Sequence, residues 1–155
     1  MEELKRKKGF ICDMDGVIYH GNRLLPGVKE FVDWLYAEKK HFLFLTNSSE
    51  RSPKELQQKL GRMGLDVDEK HFYTSALATA EFLKAQAPNC SAFVIGEAGL
   101  LNALYDAGIT RNAVITESVI VGEGPTHSRD TQTRASTLLL CGARPLPAYT
   151  DPCVQ

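Results

Sequence analysis

The chain has 155 residues, of which 43% are hydrophobic and 24% charged, the composition of a globular protein rather than a disordered one. Its formal net charge of -1 argues against a surface dedicated to nucleic acid or to an anionic membrane, because both require a basic excess. No signal peptide is visible, and no apolar run reaches the ~18 residues of a membrane span. The sequence therefore predicts a cytoplasmic protein without nucleic-acid or membrane partners.

The first half of the chain predicts strands and helices in alternation. The basic run at residues 5–8 is interpreted as a solvated leader, with a docking arm as the alternative. The elements that follow are a buried strand at 9–12, a helix at 28–38, a strand at 42–45, a helix from Ser52-Pro53 to Gly64, a strand at 71–74 and a helix at 76–85. This order is typical of a parallel sheet with helices on its faces.

The same rhythm restarts after residue 87 and predicts a second α/β unit. Its elements are a strand at 92–95, a helix at 100–107 stopped by Gly108, a strand at 118–121 and a helix at 129–140 that ends at Gly142. Beyond them, Pro145, Pro147 and Pro152 fall where the rhythm requires a strand. Because proline cannot donate to a central ladder, a divergent proline-rich tail is expected at 145–155.

The four cysteines show neither a C-x-x-C pair nor a zinc-binding spacing. We interpret Cys12, Cys90, Cys141 and Cys153 as reduced thiols. Cys12 lies within the first predicted strand, where the role of a small buried residue is favoured over that of a nucleophile.

Two carboxylates directly follow the first predicted strand. Asp13 and Asp15 are two residues apart, so they project to the same side, about 6–7 Å from each other by strand geometry. At an effective dielectric constant of about 20, their repulsion at about 5 Å is about 3 kcal/mol, which makes a cation their natural partner. Oxygen ligands of this kind suit Mg2+, which supports phosphoryl transfer. An Asp-x-Asp pair alone also occurs in calcium loops, turns and helix caps.

The neighbouring strand also ends in polar residues. Thr46 and Asn47 supply a hydroxyl and an amide after the strand at 42–45, and Ser48 and Ser49 add further donors. Ligands of parallel sheets bind at the carboxyl ends of the strands. With backbone N–H groups, these side chains therefore predict a phosphate site.

These segments closely resemble the NagD-like branch of the haloacid dehalogenase (HAD) superfamily over about residues 8–143. The motifs that carry the resemblance are Asp13-Met14-Asp15-Gly16-Val17-Ile18, Leu25-Pro26-Gly27, Phe44-Leu45-Thr46-Asn47-Ser48-Ser49 and Tyr73-Thr74-Ser75-Ala76-Leu77-Ala78-Thr79-Ala80. The resemblance implies a Mg2+-dependent phosphatase of small phosphorylated metabolites with a Rossmann-like core and an α/β cap. It divides the chain into the N-terminal part of the core at 1–80, part of the cap at 81–144 and the tail at 145–155.

The resemblance also assigns roles to individual residues. It implies that Asp13 is the nucleophile that forms an aspartyl-phosphate and that Asp15 protonates the leaving group and then activates water. Both carboxylates are implied as metal ligands. Thr46 is implied to bind the phosphoryl group with support from Asn47, and Ser48 is a further candidate phosphate ligand.

Two later motifs of the family, a lysine and an acidic pair after Gly-Asp, have no match in this sequence. We therefore expect a truncated, misspliced or frame-shifted product, which a longer reading frame with both motifs would support. An incomplete parallel sheet would leave a hydrophobic edge beside Asp13, so homo-oligomers through this edge or the cap are expected.

Other functions stay open at this stage. A non-catalytic fragment that binds a phosphorylated ligand or a partner is the main alternative, and the missing motifs favour it. A phosphoacceptor signalling domain would also combine carboxylates with Mg2+ on a parallel sheet, but it requires an acceptor aspartate at a later strand end, where this chain has Thr46. Within the second unit, the segment 96–99 is interpreted as a plain turn rather than a nucleotide loop.

Overall fold

The computed structural model describes residues 2–112, 114, 116–124 and 128–148. The chain forms two compact units. The first comprises Met1–Thr46 and Pro53–Tyr73, and the second comprises Asn47–Ser52 and Thr74–Gln155. The loop at 47–52 thus interrupts the first unit and belongs to the second. The division predicted at residues 80–81 falls inside a helix, whereas the chain passes into the second unit after Tyr73.

The first unit is built on a sheet with helices between its strands. Its elements are α1 (Glu2–Lys5), β1 (Gly9–Asp13), β2 (Tyr19–His20), β3 (Arg23–Leu24), α2 (Val28–Ala37), β4 (His41–Thr46), α3 (Pro53–Arg62), a 3-10 turn (Glu69–His71) and β5 (Phe72–Thr74), whose last residue begins the second unit. The strand order is β1-β4-β5, and β1 runs parallel to β4. Between β1 and α2, where the sequence predicted only a loop, β2 and β3 form a short antiparallel pair.

One hydrophobic core holds these elements together. On α2, the apolar spacing predicted from the sequence places Val28, Val32 and Leu35 on the buried side. The other fully buried side chains of this core include Met14, Ile18, Phe44, Leu60, Leu65 and Val67. The residues between β1 and β2 are therefore anchored in the core by Met14 and Ile18.

The prediction that the first strand is buried is wrong. β1 is an edge strand of the three-stranded sheet, and its residues alternate between exposed and half-buried. Ile11, at its centre, is 72% exposed. In the described part of the chain no strand pairs with the free side of β1, which leaves this side chain in solvent. The hydrophobic edge expected beside Asp13 is present.

The second unit contains a separate parallel sheet. Its elements are α4 (Ser75–Gln86), β6 (Ser91–Ile95), α5 (Ala98–Asp106), β7 (Thr110–Arg111), β8 (Ser118–Val121), α6 (Arg129–Leu140) and β9 (Arg144–Pro147). The strand order is β7-β6-β8-β9, and each neighbouring pair is parallel. Together with the first sheet, this confirms the predicted α/β fold class.

The proline-rich segment forms a strand, contrary to the sequence expectation. Arg144 and Ala148 donate backbone hydrogen bonds to Glu117 and Val121 of the β8 side, at 2.9 and 2.8 Å. Because donors alternate along a strand, Pro145 and Pro147 occupy the positions whose nitrogens face the open edge. An edge strand can therefore accept both prolines. Residues 149–155 of the predicted tail lie outside the described residues.

Helices α2 to α6 lie within two residues of their predicted bounds; α5, predicted at 100–107, spans Ala98–Asp106. Gly64, Gly108 and Gly142 follow α3, α5 and α6 with φ of 85°, 81° and 98°, a conformation that glycine adopts without strain. Ser128 caps α6 by accepting a hydrogen bond from the Thr131 N–H at 3.2 Å. Within the described ranges, none of the helices has both the length and the apolar character that a membrane crossing requires.

Candidate active site

One buried residue, Met14, separates the two candidate catalytic carboxylates, and a turn begins at it. Met14 is fully buried, whereas Asp13 and Asp15 on either side of it are exposed. The Met14 carbonyl accepts hydrogen bonds from the N–H groups of Ile18 and Tyr19 at 2.9 and 3.3 Å. The structure thus exposes both aspartates on either side of the buried Met14, and their projection to the same side stays a prediction from the i, i+2 spacing.

Asp13 is held at the carboxyl end of β1 beside the end of β4. In the parallel register Asp13 lies opposite Leu45, so Thr46 is one residue further along the neighbouring strand. Adjacent strands are about 4.8 Å apart, which brings Asp13 and Thr46 to the same edge of the sheet. The Met14 N–H donates to Asp13 Oδ1 at 2.9 Å. This bond engages one of the two carboxylate oxygens of an exposed side chain.

The two carboxylates fit a divalent cation in part. Both are exposed, and neither forms an ion pair with a residue that the structure describes. Hard oxygen donors of this kind suit Mg2+, which keeps several water ligands. However, no group of three or more histidine, cysteine, aspartate or glutamate side chains suited to a metal occurs among the described residues. Asp13 and Asp15 therefore supply two ligand side chains and no third carboxylate.

The predicted phosphate ligands follow β4 in an unbroken run but differ in exposure. Thr46 is buried, Asn47 is exposed and Ser48 is half-buried. The Asn47 carbonyl accepts a hydrogen bond from Ser75 Oγ at 2.7 Å, and Ser48 Oγ accepts one from the Glu50 N–H at 3.3 Å. Asp13, Asp15 and Thr46 belong to the first unit, whereas Asn47 and Ser48 begin the segment assigned to the second.

Ser49 is held by Glu123. It is completely buried, its N–H donates to Glu123 Oε2 at 3.2 Å, and its Oγ accepts from the Glu123 N–H at 3.0 Å. The Ser49 backbone N–H is therefore engaged by Glu123, and a phosphate-donor role for the Ser49 hydroxyl stays a prediction.

The loop at 47–52 has a further anchor in the second unit. The Gly99 N–H donates to the Glu50 carbonyl at 3.0 Å. The engaged Gly99 amide argues against the nucleotide-loop alternative, but the turn predicted at 96–99 is shorter, because Ala98 and Gly99 begin α5. Sequence reasoning missed Glu123, Ser75 and Gly99 as supports of the loop. The available signal was the Gly-Glu pair that follows both apolar strands of the second unit, at 96–97 and at 122–123.

Three of the four cysteines lie among the described residues. Cys12, Cys90 and Cys141 are free thiols, as predicted, and Cys153 lies outside the described residues. Burial raises the pKa of the Cys12 thiol. Burial and the charge of Glu117 raise the pKa of Cys90. Both thiols therefore stay protonated at neutral pH, in agreement with packing roles.

Comparisons with known proteins agree with the motifs at this site. A family model described as haloacid dehalogenase-like hydrolase matches residues 10–110. A dihydroxyacetone phosphatase of Corynebacterium glutamicum (strain R) is 39% identical over 135 residues, which represent 87% of this chain and 49% of that protein. The ribonucleotide monophosphatase NagD of Escherichia coli (strain K12) is 38% identical over 144 residues, or 93% of this chain and 57% of that protein.

The fold of this chain is also similar to that of a NagD-type protein. The solved structure of NagD from E. coli K-12 matches with a TM-score of 0.86 at 37% identity, covering 91% of this chain and 56% of that one. The chain therefore spans about half the length of the curated relatives that it matches.

Proposed function

This chain belongs to the haloacid dehalogenase-like hydrolases and is similar to their NagD-type members, and we propose that it provides the nucleophile, Asp13, and the phosphate loop, residues 47–52, of a magnesium-dependent phosphatase. The substrates would be small phosphorylated metabolites, hydrolysed through an aspartyl-phosphate. The observation that carries the proposal is the register of β1 and β4, which places Asp13 beside the strand end at Thr46. The names of the relatives support the reaction class but select no substrate for this chain.

The chain's own residues suggest how the reaction would proceed. Asp13 Oδ2 would attack phosphorus, with Oδ1 held by the Met14 N–H, while the bond to the ester oxygen breaks. Asp15 would donate a proton to the leaving oxygen and then accept one from the water that hydrolyses the aspartyl-phosphate. The Thr46 hydroxyl, the Asn47 amide and Ser48 would hold the phosphoryl oxygens.

Asp13 and Asp15 would also hold Mg2+. When bound, the ion would neutralise charge on the phosphate group. The exposure of both carboxylates supports this assignment, since an ion with several water ligands needs space around it. With two protein carboxylates, we expect metal binding by this chain to be weak.

We also propose self-association, through the open edge of β1 rather than through the second unit. The unpaired backbone of this edge and the exposed Ile11 side chain support such a contact. Roles of the two units as core and cap, a cytoplasmic location and the absence of nucleic-acid and membrane partners remain predictions from the sequence.

The experiment that tests the activity is hydrolysis of a generic aryl phosphate by the purified 155-residue chain, with and without Mg2+. We expect hydrolysis that requires Mg2+ and that falls by at least about a thousandfold in Asp13→Asn, because an amide cannot serve as the nucleophile. Asp33→Asn is the matched control, since Asp33 is an exposed aspartate on α2. Equal loss in both variants would contradict the assignment of Asp13.

A non-catalytic phosphate-binding chain is the second candidate. The observation that favours it is that the described residues supply no third acidic metal ligand. This candidate predicts a folded protein that does not hydrolyse the aryl phosphate but binds inorganic phosphate in the presence of Mg2+. Hydrolysis that disappears in Asp13→Asn would exclude it.

A further inference from the structure

We infer that Glu123 is a positioning residue for the phosphate loop, acting through Ser49. The loop at 47–52 carries Asn47 and Ser48, two of the proposed phosphate ligands, and Glu123 holds the residue that follows them. The inference rests on the proposed function, because it assigns the loop a phosphate to bind.

The contact between the two residues is reciprocal. The Ser49 N–H donates to the Glu123 carboxylate, and the Glu123 N–H donates to the Ser49 hydroxyl, at 3.2 and 3.0 Å. Ser49 is 0% exposed, so water cannot replace either partner without opening the loop. A carboxylate that accepts from a backbone N–H forms a stronger bond than a neutral acceptor does. Glu123 therefore fixes the backbone of Ser49 rather than only its side chain.

The backbone on both sides of this contact leaves little room for movement. A Cβ atom at Gly122 would be 2.9 Å from Ser49 Oγ and 2.6 Å from Leu100 Cδ2. A side chain at residue 122 would therefore require Ser49 Oγ and the Leu100 side chain to shift. The preceding and following parts of the loop are held as well, by Ser75 at Asn47 and by Gly99 at Glu50.

A second Gly-Glu pair, which follows another strand of the same sheet, provides a comparison for the Glu123 contact. Glu97 follows β6 as Glu123 follows the neighbouring β8, and both side chains are half-buried. Glu97 is the N-cap of α5, but its side chain forms no capping hydrogen bond. Glu97 is therefore a matched control for Glu123, because it is the same type of residue at the equivalent strand end.

The ligands Asn47 and Ser48 precede Ser49 directly in the chain. If the Ser49 backbone is released, the two residues before it lose one fixed end and sample more conformations. Phosphate binding would then require ordering of the loop, which lowers affinity. We expect the loss to appear mainly as weaker phosphate binding and a higher KM, because Asp13 and Asp15 are attached to a different strand.

The test uses the full chain labelled with 15N and compares Glu123→Ala with Glu97→Ala. Exchange of the Ser49 amide hydrogen is measured first, and then the shifts of the Asn47 and Ser48 amides during titration with inorganic phosphate in Mg2+. We expect exchange at Ser49 to accelerate by on the order of tenfold or more in Glu123→Ala, together with phosphate affinity weaker by a similar factor. Glu97→Ala should change neither value.

Glu123→Gln provides a conservative variant, since its amide oxygen still accepts from Ser49. It should exchange at a rate between wild type and Glu123→Ala, and it decides the question if the alanine variant does not fold. Unchanged exchange at Ser49, an equal effect in Glu97→Ala, or unaltered phosphate affinity despite faster exchange would each overturn the inference. A wild-type chain that gives no phosphate shifts at Asn47 and Ser48 would overturn it too.

Failure of the proposed function would look different. A wild-type chain that does not hydrolyse the aryl phosphate would contradict the phosphatase activity, while both nuclear magnetic resonance measurements would still report on the loop.

Discussion

Replacement of Gly99 by alanine tests how tightly the phosphate loop is packed within the second unit. A Cβ atom at this position would lie 2.7 Å from the Arg51 carbonyl carbon and 2.7 Å from the Glu50 carbonyl oxygen. Ordinary contacts between carbon atoms are about 3.5–4.0 Å, so the loop or the start of α5 must shift. Both neighbours are backbone atoms and cannot rotate away as a flexible side chain would.

The free-energy change follows from three terms. Overpacking typically costs about 1–3 kcal/mol, and loss of the hydrogen bond from Gly99 to Glu50 costs about 0.5–1.5 kcal/mol. Alanine returns up to about 1 kcal/mol, because it is a better helix former than glycine. We therefore expect a net destabilisation of about 2 kcal/mol, equivalent to a fall in Tm of roughly 4–8 °C for a chain of this size.

The assay is thermal unfolding followed by circular dichroism, with Gly61→Ala as the control. Gly61 also lies in a helix and is exposed, and apart from its chain neighbours and its own helix backbone, a Cβ atom there would meet no atom within 4 Å. Its replacement should raise the stability by about 0.5–1 kcal/mol. A Gly99→Ala variant that melts at or above the temperature of Gly61→Ala would refute the packing argument.

Two further predictions concern the first unit. Ile11→Lys should reduce self-association, measured by sedimentation velocity, and should change Tm little because the Ile11 side chain is 72% exposed. Leu140→Lys is the control, because Leu140 lies on α6 and is 90% exposed. A monodisperse wild-type monomer would contradict the edge contact. Because burial raises the pKa of Cys12 above its ordinary value of 9.0, the folded state retains the thiol proton to higher pH than the unfolded state. The stability of wild type relative to Cys12→Ala should therefore be constant below pH 9 and fall as pH rises through the folded-state pKa; a pH-independent difference in urea unfolding would contradict this.

The sequence was sufficient where a feature depends on nearby residues. The apolar spacing on α2 and the glycines after α3, α5 and α6 express local preferences, so the helices could be placed from them. The exposure of Asp13 and Asp15 also follows locally, from the alternation around the buried Met14. Parallel pairing of β1 and β4 then brings Thr46 to the same edge, as a strand-helix-strand order predicts.

Tertiary structure decided the features that depend on which neighbours a segment has. An apolar run such as the one ending at Cys12 is compatible with either a central or an edge strand. Only the order of the strands in the sheet shows that β1 is at the edge, where Ile11 is exposed to solvent. Similarly, Pro145 and Pro147 are compatible with a strand only because β9 lies at an edge and they occupy its non-donating positions.

The support of the phosphate loop was beyond any local pattern. Ser49 and Glu123 are 74 residues apart, and nothing in the residues around either one specifies the other as its partner. The sequence by itself determined the candidate catalytic carboxylates and the candidate phosphate loop, because each is a short segment at a strand end. Tertiary structure alone determined what holds that loop, because burial of Ser49 beside β8 depends on the packing of the whole second unit.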